Sequence, residues 1–304
     1  MKKEKYNIAV VGATGAVGEQ LREVLEDRQF PVDELRLLAS ERSAGQFLPF
    51  QGRQVRVNIL KEDSFSGIDI ALFSAGGKVS ANFAPKAVAA GAVVVDNTAF
   101  FRMEPDIPLV VPEVNAAEIA EYQKRGIVAN PNCSTIQMVV ALKPIHDAAR
   151  IKRVVVSTYQ SVSGAGRMAM EELSQQVAAL FNGRELKKEK FPHQIAFNCI
   201  AQIDVFMKDG YTKEEWKMIQ ETRKILGEPD LPVTATTVRV PVFLSHSESV
   251  NVETGVKLSA AECKRILREA PGVVVVDEPE NNVYPTPIDA SGQDATYVGR
   301  VRGG

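Results

Sequence analysis

The segment Asn7–Gly18, which reads NIAVVGATGAVG, decides the fold. Its first five residues, Asn7–Val11, are almost wholly apolar and predict a short buried strand. A glycine-rich turn of the form GxxGxxG follows, and the stretch Ala16–Arg28 has the pattern of a helix. Glycines let the backbone approach a pyrophosphate, and the helix start offers it free N–H groups. Such a turn can also be purely structural, but its place between strand and helix favours a dinucleotide site.

The rest of the first half alternates short apolar strands with helices. We predict strands at Leu35–Ala39, Ile70–Ser74, Val93–Asp96 and Ile127–Ala129, and helices at Ala81–Ala90 and Ile136–Ala149. Strands that are apolar on both faces and separated by helices indicate a parallel sheet that is covered on both sides. Right-handed crossovers then give a doubly wound, Rossmann-like domain.

The second half has longer strands and reads as an α+β domain. We predict strands at Arg153–Val162, Val233–Val242, Ser249–Lys257, Val273–Asp277 and Thr296–Val301, and helices at Met168–Phe181, Tyr211–Leu226 and Ala260–Ala270. Thr212 and Glu215 form a capping-box pattern, and Ser259 is expected to cap the last helix. We expect a charged surface loop at Asn182–Pro192 and a sheet face suited to dimerisation.

Composition excludes several classes of protein. The chain has 304 residues, 45% of them hydrophobic and 24% charged, with a net charge of −2. This balance gives no basic surplus for nucleic acid or an anionic membrane. No apolar run reaches the roughly 18 residues of a spanning helix, and the N-terminus lacks a signal-peptide core. The cysteines Cys133, Cys199 and Cys263 form neither a disulfide framework nor a metal-binding pair. We expect a soluble cytoplasmic protein without a bound metal.

The end of the second strand bears on the choice of cofactor. NAD enzymes usually place an acidic residue there to bind the ribose 2′-OH. Here Ser40, Arg42 and Ser43 can bind a 2′-phosphate, whereas Glu41 would favour NAD if it pointed inward. The segment can also be a plain polar loop. We favour NADP, and Ser74, after another strand, is small enough to let the cofactor pass.

Cys133 lies in the polar segment Asn130–Thr135, between a strand and a helix. A cysteine at a helix N-terminus has its thiolate stabilised by the dipole and the free amides. A buried structural cysteine usually has apolar neighbours instead. The residues alone leave Cys133 open as a nucleophile or a structural residue, and we expect Cys199 and Cys263 to be structural.

Several motifs together resemble bacterial aspartate-β-semialdehyde dehydrogenase. They are, in chain order, Gly12–Gly18, Ser40–Gly45, Asp96–Thr98, Val111–Asn115, Asn132–Thr135, Ser157–Gln160, Ser163–Gly166 and Arg239–Val250. The resemblance implies a glyceraldehyde-3-phosphate-dehydrogenase-like architecture, with an NADP-binding domain at residues 1–132 and a catalytic and dimerisation domain at residues 133–304. It also implies a homodimer or a homotetramer.

The resemblance further implies roles for individual residues. Cys133 is then the nucleophile, Gln160 orients the acyl group, and His246, seven residues after Arg239, is the general acid and base. The substrate would be bound by Arg239 through its carboxylate, by Glu214 through its amino group, and by Arg102, Asn132 and Lys217 through phosphate. The cofactor would be bound by Gly12, Thr14, Gly15, Ala16, Val17, Ser40, Arg42, Ser43, Ser74, Ser163 and Gly164.

Some of these residues also have plainer interpretations. Lys217 lies three residues after Glu214 on one helix, so the two can form a simple surface ion pair. We expect His146 and His193 to be structural or surface residues. The polar neighbours of His246 argue against a core position, and a histidine that titrates near neutrality suits acid and base chemistry.

The reaction implied is the reversible NADPH-dependent reduction of L-aspartyl-4-phosphate to L-aspartate-4-semialdehyde and phosphate. It passes through a thioester on Cys133 and serves the biosynthesis of lysine and diaminopimelate, threonine, methionine and isoleucine. The alternatives are N-acetyl-γ-glutamyl-phosphate reductase, whose cysteine normally sits in a Gly-Cys-Tyr context, and an inactive cofactor-binding homologue. Family members continue beyond this sequence with a strand and a helix that complete the cofactor domain, and we expect activity to depend on that segment.

Overall fold

The structure, a computed structural model, describes residues 3–303, which form two compact units. The first unit comprises the chain up to Val110 and Asn115–Pro131, and the second comprises Val111–Val114 and the chain from Asn132. Asn132 therefore falls on the other side of the predicted boundary, because it caps the first long helix of the second unit. Within the described residues, no helix is both long enough and apolar enough to cross a membrane.

The first unit is built on a seven-stranded sheet. Its elements are β1 (Tyr6–Val11), α1 (Ala16–Asp27), β2 (Val32–Ala39), β3 (Phe47–Phe50), β4 (Arg53–Ile59), β5 (Ile70–Phe73), α2 (Gly77–Ala89), β6 (Val93–Asp96) and β7 (Ile127–Ala129). The strand order is β3-β4-β2-β1-β5-β6-β7, and every neighbouring pair is parallel except β3 with β4. The predicted doubly wound parallel sheet is confirmed.

Strand β1 lies where the strand order reverses. The chain passes from β1 to β2 and β4 on one side and then returns to β5 on the other. In open α/β sheets, the crevice outside the carboxyl ends of such strands is where ligands bind. Helix α1 packs closely against this edge of the sheet because Gly18 has no side chain. A Cβ at position 18 would lie 2.3 Å from the Gly12 carbonyl oxygen.

The sequence did not predict the hairpin of β3 and β4 at the edge of the sheet. The two strands pair antiparallel around Gln51 and Gly52, whose φ angles are 46° and 71°. Strand β4 buries Val57 but exposes most of its polar residues, so it has the alternation of a half-covered strand. The polar residues of β4 interrupt its apolar pattern, so the sequence does not indicate a strand there.

The second unit has two small sheets and several helices. Its elements are α3 (Pro112–Asn115, of which Asn115 is counted with the first unit), α4 (Cys133–Ala149), β8 (Ile151–Gln160), α5 (Arg167–Phe181), α6 (Lys213–Leu226), β9 (Val233–Arg239), β10 (Ser247–Thr254), α7 (Ala260–Glu269), β11 (Val273–Val275), α8 (Pro287–Ala290) and β12 (Thr296–Val298). Strands β10, β8 and β9 form one sheet in that order, and β11 pairs parallel with β12. The predicted α+β second domain is confirmed.

Helices α4, α6 and α7 cover one face of the three-stranded sheet. Met138 of α4, Met218 of α6 and Leu267 of α7 are buried in the same core as Val154 of β8 and Val233 of β9. This packing fixes the starts of α4 and α6 relative to the ends of β8 and β9. The candidate catalytic residues lie at these element ends.

Both predicted helix caps of this unit are present. The Thr212 side chain accepts from the Glu215 N–H, and the Glu215 carboxylate accepts from the Thr212 N–H, which completes the capping box. Ser259 and Glu262 form the same arrangement at the start of α7. Helix α6 therefore begins at Lys213, two residues later than its predicted start at Tyr211.

Candidate active site

The turn after β1 leaves room for a ligand at the edge of the first sheet. Gly12 has a φ of 90°, and a Cβ there would lie 2.9 Å from the Oγ of Ser74, which follows β5. Ser74 Oγ donates to the Val11 carbonyl oxygen at 3.0 Å, so the two predicted cofactor residues lie against each other. Any side chain at position 12 would fill this space, whereas glycine keeps it open to a ligand.

The start of α1 is suited to an anion. Gly15 is the N-cap, so no side chain bonds the amides of the first turn, which begins with Ala16 and Val17. Uncapped helix N-termini carry partial positive charge and favour phosphate groups. Thr14 stands in the same turn. These residues therefore fit the pyrophosphate of a dinucleotide.

The residues expected to set the preference for NADP over NAD follow β2. Residues Glu41–Ser43 form one 3-10 turn after Ser40. Ser40, Glu41 and Arg42 are exposed, and Ser43 is half-buried. Arg42 is thus available to a 2′-phosphate, and the exposed Glu41 stands beside it.

Arg102 lies in a loop that Asp96 holds in place. Asp96 is buried at the end of β6 and accepts from Ser80 Oγ at 2.8 Å, from the Thr98 N–H at 3.0 Å and from Thr98 Oγ1 at 2.9 Å. Burial raises the pKa of Asp96. Arg102 is itself buried, and its Nη2 donates to the Asn97 carbonyl oxygen at 3.0 Å. Its predicted role in binding phosphate stays a prediction.

Cys133 is the first residue of α4 and is exposed. The helix begins three residues earlier than predicted, because Asn132 caps it by accepting from the N–H groups of Ser134 at 3.0 Å and Thr135 at 3.2 Å. A thiol at this position lies in the favourable field of the helix dipole. The local sequence Asn-Cys-Ser-Thr therefore places an exposed thiol at a fixed helix start.

Two carboxylates of α6 hold Asn132 from the other side. Its Nδ2 donates to Glu214 Oε1 at 2.8 Å, and its backbone N–H donates to Glu221 Oε2 at 2.6 Å. Sequence reasoning missed Glu221. The available signal was its spacing of seven residues from Glu214, which puts both carboxylates on one face of the helix.

Lys217 joins the same face of α6. Its Nζ lies 3.1 Å from Glu214 Oε2 and 2.9 Å from Asp204 Oδ2. Although burial lowers the pKa of Lys217, the charges of Glu214 and Asp204 raise it overall, so the ammonium stays charged. Glu214 is 6% exposed, which rules out the interpretation of Glu214 and Lys217 as a simple surface ion pair.

Gln160 and Arg239 end two neighbouring strands in register. Gln160 is fully buried, and its Nε2 makes a long contact of 3.5 Å with Glu214 Oε1. The Nη1 of Arg239 donates to the Ser161 carbonyl oxygen at 2.6 Å. Burial lowers the pKa of Arg239, while the negative charges of Glu214 and Cys133 act in the opposite sense. The structure therefore brings together four predicted site residues of the second unit: Cys133, Gln160, Glu214 and Arg239.

His246 completes this group, but its charge differs from the prediction. Its Nδ1 accepts from the Ser161 N–H at 3.1 Å and lies 2.9 Å from Ser161 Oγ. Burial, together with the positive charge of Arg239 and against the opposing charge of Glu214, lowers the pKa of His246 to about 4. The expectation of a histidine that titrates near neutrality was therefore wrong, because the sequence does not show how deeply the ring is buried.

The remaining predicted cofactor residues lie in the second unit. Ser163 and Gly164 belong to a short 3-10 turn after β8. A Cβ on Gly164 would lie 3.0 Å from Arg239 Nη1 and 3.2 Å from His246 Nε2. Their role in binding the cofactor stays a prediction.

The other cysteines and His146 have distinct surroundings. Cys199 is exposed in a loop, and its expected structural role stays a prediction. Cys263 is half-buried against the core of α4, α6 and α7, and burial raises its pKa. His146 accepts the Ile151 N–H at 3.3 Å at the end of α4, which is a structural role.

Comparisons with known proteins show which family the chain belongs to. Residues 7–122 match the family model of the semialdehyde dehydrogenase NAD binding domain, and residues 142–304 match that of the semialdehyde dehydrogenase dimerisation domain. An aspartate-semialdehyde dehydrogenase of Aquifex aeolicus is 59% identical over 299 residues, which cover 98% of this chain and 88% of the relative. The chain belongs to the aspartate-semialdehyde dehydrogenase family. It is therefore an oxidoreductase with one domain for a nicotinamide cofactor and one for oligomerisation.

Solved structures of this family are similar over almost the whole chain. The aspartate semialdehyde dehydrogenase II of Vibrio cholerae, solved as a complex with ASA, has a TM-score of 0.96 at 53% identity, and the match covers 99% of this chain and 89% of that one. The aspartate semialdehyde dehydrogenase of Candida albicans, solved with NADP, has a TM-score of 0.75 at 26% identity, with coverage of 98% and 89%.

Proposed function

We propose that this chain interconverts L-aspartate-4-semialdehyde, phosphate and NADP⁺ with L-aspartyl-4-phosphate and NADPH. The observation that carries the proposal is the group formed by Cys133, Gln160, Glu214, Arg239 and His246 at neighbouring element ends of the second unit. The relative from Vibrio cholerae that was solved with ASA supports the choice of substrate. N-acetyl-γ-glutamyl-phosphate reductase and an inactive homologue gain no support from these comparisons.

The charges of this group match the substrate. Aspartate semialdehyde carries one carboxylate and one ammonium group beside its aldehyde. Arg239 presents a planar guanidinium, which suits a carboxylate, and the buried Glu214 suits an ammonium group. We assign phosphate to Lys217 and Arg102. The amide of Asn132 is engaged on both sides within the protein, so we propose that Asn132 contributes to phosphate binding by holding the start of α4.

The chemistry uses the thiolate of Cys133. In the reductive direction, Sγ attacks the acyl carbon, and phosphate leaves with the electrons of the broken C–O bond. Gln160 orients the acyl group during this step. NADPH supplies the hydride that reduces the thioester. His246 stabilises the resulting oxyanion. Collapse of this oxyanion breaks the C–S bond and releases the aldehyde.

We further propose NADP as the preferred cofactor. Arg42, Ser40 and Ser43 offer polar groups to a 2′-phosphate at the end of β2, where an NAD enzyme usually has an inward acidic residue. The Candida albicans relative that was solved with NADP supports this choice. Gly12, Thr14, Gly15, Ala16, Val17 and Ser74 would hold the dinucleotide, and Ser163 and Gly164 remain predicted contacts.

The biological setting follows from the reaction. Aspartate semialdehyde leads to lysine and diaminopimelate, threonine, methionine and isoleucine, so we propose a biosynthetic role. We propose a homodimer as the working assembly, with a homotetramer as the alternative that size measurement would reveal. A cytoplasmic location stays a prediction.

A comparison of substrates tests the proposed function. The initial rate of NADP⁺ reduction is measured with aspartate semialdehyde and with N-acetylglutamate semialdehyde, each with and without phosphate. We expect a phosphate-dependent rate with aspartate semialdehyde that exceeds the other by orders of magnitude. An equal rate with the acetylated substrate, which lacks the ammonium group that Glu214 would bind, would contradict the assignment.

A further inference from the structure

The ammonium group of Lys217 lies between two carboxylates that come from different parts of the second unit. Its Nζ is 2.9 Å from Oδ2 of Asp204, in the loop before α6, and 3.1 Å from Oε2 of Glu214, one turn earlier on α6. The family resemblance implies roles for Lys217 and Glu214 but none for Asp204. A lysine ammonium has three N–H donors and no acceptor, so these two bonds leave one donor for a third partner.

The backbone holds the Asp204 carboxylate in this position. Asp204 has a φ of 68°, a left-handed conformation that aspartate adopts more readily than most residues. Its Oδ1 accepts from the Val205 N–H at 2.9 Å, which leaves Oδ2 to accept from Lys217. The chain then folds back onto the start of α6, where the Lys213 N–H donates to the Val205 carbonyl oxygen at 2.9 Å. Local geometry therefore fixes Asp204 as a counter-ion of Lys217.

The charges of this ion pair are kept at neutral pH. Although burial raises the pKa of Asp204, its bond from Lys217 lowers that pKa overall, so the carboxylate is ionised. The side chains of Lys217 and Asp204 are 17% and 34% exposed, so water screens their interaction only in part. Since Lys217 also faces Glu214, one positive charge stands between two negative charges, and one negative charge is left over.

This surplus charge matches the ammonium group of aspartate semialdehyde. If Lys217 faced Glu214 alone, the pair would be neutral and would attract an ammonium group only weakly. Glu214 also accepts from Asn132 Nδ2 at 2.8 Å, but that amide carries no charge. Arg239, the other cation that interacts with Glu214, is assigned to the substrate carboxylate, whose charge balances it. Asp204 is thus the group that decides whether Glu214 keeps its charge for the substrate.

We propose that Asp204 is a positioning residue for substrate specificity, whose carboxylate balances Lys217 so that Glu214 presents a net negative charge to the substrate ammonium group. This inference rests on the proposed function for the substrate, and on the two ion-pair distances for the role of Asp204. The same carboxylate opposes the binding of phosphate to Lys217, which favours the release of phosphate in the reductive direction.

Asp204→Asn tests this role, because the amide has nearly the shape of the carboxylate but carries no charge. The KM values of aspartate semialdehyde and of phosphate are measured in turn, with the other substrate and NADP⁺ saturating. We expect the KM of aspartate semialdehyde to rise by at least about fivefold, the size of effect that one part-buried charge has on binding. The KM of phosphate should stay the same or fall, because Lys217 loses a competing anion.

The direction of the two changes separates charge from structure. Disruption of the pocket would raise both KM values together, and that result would overturn the proposal, as would an unchanged KM of aspartate semialdehyde. Asp204→Glu keeps the charge and should lose less affinity than Asp204→Asn, so equal losses would also count against the role of the charge.

A matched control removes a carboxylate from an ion pair outside the site. Asp147→Asn does so at the exposed pair of Lys143 and Asp147 on α4, and we expect it to change neither KM value. A change from Asp147→Asn as large as that from Asp204→Asn would overturn the proposal, because the effect would then not be specific to the site. A parent enzyme without phosphate-dependent turnover would instead refute the proposed function, so the two failures are distinguishable.

Discussion

Asn132 provides a prediction whose size follows from its hydrogen bonds. Asn132→Ala removes the Oδ1 cap on Ser134 and Thr135 and the Nδ2 bond to Glu214, but keeps the backbone bond to Glu221. Loss of an N-cap costs about 1 kcal/mol, and loss of a hydrogen bond to a charged group costs about 1.5–3 kcal/mol. Lys217 still pairs with Glu214 in the variant, so we expect a total loss of about 2–4 kcal/mol.

Urea unfolding of the parent and the variant measures this loss through the shift in midpoint at constant slope. Asn132→Asp is the matched control, because it keeps an acceptor for the helix but replaces the donor with a carboxylate that faces Glu214. Its stability should fall as the pH rises and the new carboxyl ionises. If Asn132→Ala lies within about 0.5 kcal/mol of the parent, the interpretation of Asn132 as a buried cap between α4 and α6 is wrong.

Other substitutions test the cofactor edge and the core. Arg42→Ala should weaken the binding of NADPH more than that of NADH in fluorescence titrations, and equal losses would count against the 2′-phosphate site. Gly18→Ala should destabilise the protein in thermal unfolding because its Cβ would lie 2.3 Å from the Gly12 carbonyl oxygen, whereas Gly15→Ala, with its nearest contact at 3.4 Å, should lose far less. Burial raises the pKa of Glu248 to about 8, above its unfolded value, so the folded state binds this proton more tightly. Stability should therefore fall as the pH rises from about 5 to about 8, and Glu248→Gln should show a smaller fall in urea unfolding at several pH values. The same slope in both proteins would refute this assignment.

The central elements of the fold could be predicted because their local pattern and their tertiary surroundings agree. Strand β1 and the glycine turn after it are apolar, short and unambiguous, and the capping box at Thr212 is a local signal that the structure confirms. The β3–β4 hairpin was missed because its edge strands carry many polar residues. The early start of α4 was missed because the cap at Asn132 outweighs the propensities of the residues after it.

The sequence motifs nominate the residues of the candidate site, but they do not give the physical state of those residues. The motif order pointed to Cys133 and His246, since chemistry fixes which residue types occur there. The charge of His246 depends on burial and on Arg239, which approach it only in the folded chain. Ser161 acts through its backbone N–H, which no side-chain pattern reveals. The spacing of Glu221 from Glu214 indicates a shared helix face, but it does not show the contact with Asn132, 89 positions away in the sequence.

Detection of the proposed covalent intermediate on Cys133 is the most direct test of the mechanism. The enzyme is mixed with aspartate semialdehyde and NADP⁺ without phosphate, quenched in acid and digested, and the peptide that contains Cys133 is examined by mass spectrometry. We predict an aspartyl adduct on Cys133 that disappears when phosphate is added before the quench. Phosphate-dependent turnover in the same preparation without any adduct on Cys133 would refute the thioester mechanism.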